Sequence, residues 1–195
     1  MLSIPGDDPR TPDVQVGPVD LTARVDDALA VQALAFGLSD DEIDVRRHIV
    51  LRHLMYPGCR SFGATTDEGK LVGFVYGLPN QRTHWWSTVV EPYLRRTESD
   101  SWLDDSFVIT ELHVHPGYQA RGIGRALITV ITDGVTQSRS ILSAIDVESP
   151  ARHLYRQLGY QDLARQVHFP SAARPYAVMG ATLPLRRPGA VASDA

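Results

Sequence analysis

Several things are scarce in this sequence, and each shortage excludes something. One cysteine, Cys59, rules out an internal disulfide and supplies no thiolate cluster for a metal. No apolar run approaches the ~20 residues of a membrane span. The opening MLSIPGDDPRTPD lacks the basic start and apolar stretch of a secretory leader. A cytoplasmic protein without a membrane partner is the simplest expectation. Long basic runs are missing and the net charge is −4, which argues against nucleic acid as a partner. There is no internal repeat. What remains is an ordinary globular composition, 43% apolar and 22% charged, in 195 residues, so one domain with its own core is expected.

The chain is organised around the stretch FVITELHVHPGYQARGIGRAL, Phe107–Leu127. Phe107 to Val114 is rich in β-branched and aromatic residues and predicts a strand. Pro116-Gly117 ends it. Ile123, Ala126, Leu127, Val130, Ile131 and Val135 then recur with helical spacing. A strand that feeds a glycine-bearing turn and then a helix is suited to hold an anion. The first helical N–H groups lack partners, the helix dipole is positive there, and Gly122 and Gly124 admit a phosphate to the backbone. The dinucleotide fingerprint fails, because Leu127 stands where a third glycine is needed. The nucleoside-triphosphate loop fails as well, for lack of Gly-Lys-Ser/Thr.

The rest of the chain reads in order. Val14–Val19 predicts a strand, and Asp20 or Thr22 caps a helix carrying Val25, Ala28, Leu29 and Phe36. Ser39 and Glu42 fit a capping box ahead of Ile43, Val50, Leu51 and Leu54. Two strands, 60–66 and 70–78, flank the turn at Asp67-Glu68-Gly69. Residues 80–104 hold all three tryptophans and are long for a connection, with a short helix over 85–96 broken at Pro92. A strand over 141–147 precedes a helix opened by Ser149-Pro150 and closed at Gly159. Its core stripe is Ala151, Leu154 and Leu158. Strands over 161–169 and 176–183 follow. Residues 1–13 and 185–195 are expected to be loose tails around a single domain, 14–184.

Gln119-Ala120-Arg121-Gly122-Ile123-Gly124 resembles the pyrophosphate signature of the GNAT superfamily of acyl-CoA N-acyltransferases, Gln/Arg-x-x-Gly-x-Gly/Ala. Ala151 to Tyr160 is similar to its second signature, Ala-x-x-Leu-Tyr-x-x-x-Gly-Phe/Tyr. The element order βααβββαβαββ also matches. The resemblance implies a GNAT fold, of α/β (α+β) class, with a central mixed, mostly antiparallel sheet and helices on both faces. It implies acetyl-CoA as donor, an amine as acceptor, no metal, and a monomer or homodimer. It also implies donor contacts from His113 and Val114 through the backbone and from Gln119, Ala120, Arg121, Gly122, Ile123, Gly124 and Arg125. Glu148 stands where the family often has asparagine, so that side-chain contact to the cofactor is not carried over.

Acyl transfer to an amine needs a proton acceptor for the amine and a proton donor for the departing thiolate. Tyr155, protonated at neutral pH, suits the acid role; without the family resemblance, half-buried packing beside the core stripe would be the preferred reading. Glu111 is the candidate base, directly or through a water, because a carboxylate within a central strand asks for a reason. A structural salt bridge would be one such reason, and His113 is the runner-up base. No Cys or Ser nucleophile with a partnered base is visible, which points to direct attack. Trp85, Trp86 and Trp102, with Tyr93, would wall the acceptor side, while Glu91, Glu98, Asp100, Asp104 and Asp105 suit a cationic amine. A core plug or dimer contact would use the same aromatics. The competing reading is a catalytically silent acyl-CoA-binding module of the same fold.

Overall fold

A computed structural model describes residues 1–6, 13–170 and 172–186. The elements are β1 (Leu2–Ile4), β2 (Val14–Pro18), α1 (Val25–Phe36), α2 (Asp40–Leu54), β3 (Arg60–Thr66), β4 (Leu71–Pro79), α3 (Trp85–Arg96), β5 (Ser106–Val114), α4 (Ile123–Thr132), β6 (Arg139–Ile145), α5 (Pro150–Gln157), β7 (Gln161–Val167) and β8 (Tyr176–Thr182). Single 3-10 turns lie at Asp100–Leu103 and Pro116–Tyr118. The class is mixed α/β, with eight strands in mostly antiparallel pairing. The chain divides into two compact units, Met1–Leu78 with Ile109–Asp133, and Pro79–Val108 with Gly134 onward.

In the first unit the strand order is β1-β2-β3-β4-β5. Register slips by one residue where Ala64 faces Gly73 but Thr65 faces Leu71. The extra residue, Val72, turns Leu71 onto the face of Phe74 and Tyr76. There the three pack with Leu21, Val25, Leu29 and Val50, so α1 and α2 cover that face. On the other face Gly73 lies against Ile123 and Leu127 of α4. In the second unit the order is β6-β8-β7. Ile141, Val178 and Leu163 pack under Val90 and Leu94 of α3. Ser140, which alternates with Ile141, meets Tyr160 just after α5, its hydroxyl 2.6 Å from the tyrosine's. Each unit is thus a sheet with helices on both faces.

Three expectations are corrected. The N-terminal stretch is not all tail: Leu2–Ile4 pairs antiparallel with Val14–Val16, closing what would be an open strand edge. The C-terminal tail falls from residue 187 outside the described residues. Pro92 does not break α3; it sits on the exposed side, and buried Val90 and Leu94 hold the helix through the one missing N–H. The buried face of α5 is Arg152, Tyr155 and Leu158, while Ala151 is exposed and Leu154 half-buried. Ion pairs of Arg152 turn that face inward, as described below. A smaller shift affects α4, which ends at Thr132, so Ile128 and Thr132 are buried instead of Val130 and Val135.

Candidate active site

The first unit gathers the residues expected to hold the donor on the passage from β5 to α4. The backbone N–H of His115 donates to the Val72 carbonyl at 2.8 Å, fixing that residue's main chain toward β4. Strand alternation directs Val114 to the opposite edge, where the Gln119 carboxamide donates to its carbonyl at 3.0 Å. The turn is tightened by His115, whose Nδ1 accepts from the Gly117 N–H at 3.1 Å. Ala120 (φ 63°) and Gly122 (φ 80°) are both left-handed, and Gly122 is the N-cap of α4. This is where the sequence needs glycine, since a side chain at that φ is strained even though a Cβ would meet no atom within 4 Å. The first α-helical bond runs from the Ala126 N–H to the Gly122 carbonyl at 3.0 Å. The N–H groups of Ile123, Gly124 and Arg125 therefore precede the helical ladder, and no acid occupies the first turn to cap them. Arg121 stacks on Tyr118 at 5.4 Å and donates to the Pro5 carbonyl at 3.1 Å.

Glu111 and His113 share one face of β5 and meet. His113 Nε2 lies 2.7 Å from Glu111 Oε2, so an ionised Glu111 requires the proton on that nitrogen. His113 is buried between the Phe36 ring (5.1 Å, edge-on) and the Phe74 ring (5.4 Å). Gln32 of α1 donates to the same Glu111 oxygen at 3.2 Å, and Arg46 of α2 stands 3.8 Å from Oε1. Burial pushes the Glu111 carboxyl up, but the His113 hydrogen bond and the charges of His113, Arg46 and His53 outweigh it, and its pKa lies below the ordinary value. Tyr76, whose hydroxyl is 3.2 Å from His53 Nδ1, is held well above the usual phenol range by burial and then by the Glu111 charge.

Tyr155 and the tryptophans belong to the second unit. Tyr155 is buried, its ring 5.8 Å from Tyr160. Arg152, one turn earlier on α5, is wholly buried; it donates twice to Asp162 (2.6 and 2.6 Å) and once to Asp146 (3.2 Å). Asp146 further accepts from Arg165 (2.8 Å) and from the backbone and side chain of Gln166 (3.0 and 2.6 Å). Glu148 grips Arg156 at 2.6 and 2.9 Å, a structural use of the position where the family often has asparagine. Trp86 donates to Ser143 at 2.9 Å and packs on the core with Trp102. A Cβ on Gly180 would come within 2.7 Å of the Trp102 ring, and Arg139 stacks on that ring at 5.2 Å. Trp86 and Trp102 are both half-buried against that core. Trp85 is 59% exposed against Phe169. Among the acids expected to line an acceptor wall, Glu91 and Asp104 are tied to Arg82 at 2.8 and 2.7 Å.

Sequence reasoning missed Gln32, Arg46 and the Arg152 ion-pair group, and read Phe36 only as part of a helical stripe. Only Gln32 carried a signal, a polar residue on an apolar helical stripe. Among the described residues no group of three or more His, Cys, Asp or Glu is arranged to hold a metal. No described helix is long and apolar enough to cross a membrane.

A family model described as an acetyltransferase (GNAT) domain matches residues 57–162. The GCN5-like protein acetyltransferase Rv2170 of Mycobacterium tuberculosis (strain ATCC 25618 / H37Rv) is 28% identical in an alignment that spans 88% of this chain and 98% of that protein. The ribosomal-protein-S18-alanine N-acetyltransferase from Escherichia coli superposes with a TM-score of 0.62 at 15% identity, over 91% of this chain and 99% of its own. A chain of the NatC complex bound to Gag peptide and CoA gives 0.59 at 15%, over 87% and 98%.

Proposed function

The chain belongs to the GNAT family of acetyltransferases, and from that premise we propose that it moves the acetyl group of acetyl-CoA onto a primary amine by direct attack. The observation that carries the reading is the passage from β5 to α4. A left-handed Gly122 opens a helix whose first N–H groups precede the ladder, and the Glu111–His113 pair stands on the strand that leads into it. In this reading those N–H groups, with Arg121 and Arg125, hold the pyrophosphate, and the backbone of His113 and Val114 meets the pantetheine arm. The His115 N–H is spent on Val72, and Val114 alternates with it, so in this reading the Val114 main chain, turned away from β4, is the better placed of the two.

The chemistry balances without a covalent enzyme intermediate. The amine nitrogen bonds to the thioester carbon while Glu111, directly or through a water, takes the amine proton. The carbon–sulfur bond then breaks, and Tyr155 donates its phenolic proton to the departing thiolate. Burial pushes the Cys59 thiol up to about 11, which keeps it protonated at neutral pH and poorly suited to nucleophilic attack. The name of the mycobacterial relative, a protein acetyltransferase, supports a protein amine as acceptor.

Kinetics of two variants test the assignment. Tyr155→Phe is expected to lower turnover by roughly ten- to ten-thousand-fold with CoA affinity nearly intact. Glu111→Gln should erase the acidic limb of the pH–rate profile. If that limb survives in the Glu111 variant, Glu111 is not the base and His113 is the next candidate.

A further inference from the structure

Gln32 is out of place for a core residue. It is 1% exposed, on the α1 face that also buries Val25, Ala28 and Leu29, in a helix whose packing asks for an apolar side chain there. Its carboxamide nitrogen donates to Glu111 Oε2 at 3.2 Å, yet its carbonyl oxygen is buried with no partner among the described residues. The orientation is not interchangeable. An ionised carboxylate accepts only, so turning the amide over would set oxygen against oxygen. The side chain thus leaves one buried acceptor unsatisfied in order to bring one N–H to Glu111. A burden of this kind, kept in a native core, calls for a functional reason.

We propose that Gln32 is a positioning residue for the acyl transfer, holding the Glu111 carboxylate ionised and aimed by donating to Oε2. The inference rests on the reading of Glu111 as the base. The groups facing that carboxylate are Gln32 from α1, Arg46 and His53 from α2, Tyr76 from β4 and His113 from its own strand. Of the two donors on Oε2, Gln32 is the one that does not titrate. A hydrogen bond to the charged form favours that form, so losing it raises the pH at which Glu111 takes up a proton.

The consequence is an unusual pairing of effects. Gln32→Met removes the orphaned carbonyl along with the donor, so its melting temperature is expected to equal or exceed that of the parent. The same variant should shift the acidic limb of kcat/KM upward by about one pH unit, the worth of one hydrogen bond to a charged group. Turnover should fall roughly three- to thirtyfold, a fraction of a full acid–base contribution. Gln32→Glu keeps a polar side chain should the methionine variant fold poorly, and by placing a like charge beside Glu111 it is expected to move the limb in the same direction. The assay is thiol release from acetyl-CoA with a lysine-containing peptide or spermidine as the amine. If Glu111→Gln erases the limb while neither Gln32 variant moves it, Gln32 is packing and the inference is overturned. If Glu111→Gln itself leaves the limb in place, the assignment of the base has failed instead.

Discussion

At the residue scale, Arg152 and Asp146 are an ion pair whose two side chains have no exposure. Burial alone would push the Asp146 carboxyl up. Hydrogen bonds from Arg165 and from the Gln166 backbone and side chain, with the Arg165 charge, overcome that cost and leave the pKa below the ordinary value. A carboxylate depressed on folding stabilises fully above its unfolded pKa of about 3.9 and loses that contribution as pH falls through the lower folded value. Asp146→Asn leaves Arg152 buried with one partner fewer, and a cost of about 3–5 kcal/mol is expected. Thermal unfolding at a series of pH values checks both points, because the variant should be destabilised at neutral pH and lose less than the parent on acidification. This group was not legible in the sequence. Arg152, Asp146 and Asp162 are dispersed among ordinary polar residues, and the expected core stripe of Ala151, Leu154 and Leu158 followed hydrophobicity alone. What rotated the helix was pairing, which hydrophobic spacing does not record. Gln32 is the contrary case. It occupies the apolar stripe defined by Ala28, Leu29 and Phe36, and a polar side chain at such a position is a visible break in the period.

At the scale of elements, the legible parts were those fixed by local chemistry. The capping box of α2 formed as read, with Glu42 accepting from the Ser39 backbone at 2.9 Å. Ser149 accepts from the Arg152 N–H at 3.3 Å to open α5, and Gly159 follows that helix in the left-handed region. Pro92 was misread because propensity weighs an interior proline without knowing that buried neighbours hold the helix. β1 was missed because three residues are too short a run for a strand period to show. The passage from β5 to α4 tests how far a glycine pattern specifies a site. Gly122→Val puts a β-branched residue at φ 80°, at a cost of roughly 1–2 kcal/mol or more of local strain. Distortion of the N-cap should weaken CoA binding about tenfold in calorimetry while circular dichroism stays native. Unchanged affinity would remove the helix terminus from the donor site.

At the scale of the whole molecule, the residues that the sequence joined by motif fall in two compact units. The glycine turn and the Glu111–His113 pair lie in one unit, Tyr155 and the tryptophans in the other. Motif order was readable because each signature is local, a strand-turn-helix and a capped helix. The destination of the tryptophans was not readable, because aromatic content is the same for a wall and for a core. The central claim is that this chain transfers an acetyl group and does not merely bind its carrier. The most direct measurement is release of free CoA thiol from acetyl-CoA, followed with and without a panel of primary amines that includes lysine peptides, spermidine and an aminoglycoside. The account predicts release that depends on an amine, with an acetyl mass gain on that amine and none left on the protein. Donor binding in calorimetry with no thiol released across the panel would contradict it, and would identify a silent acyl-CoA-binding module.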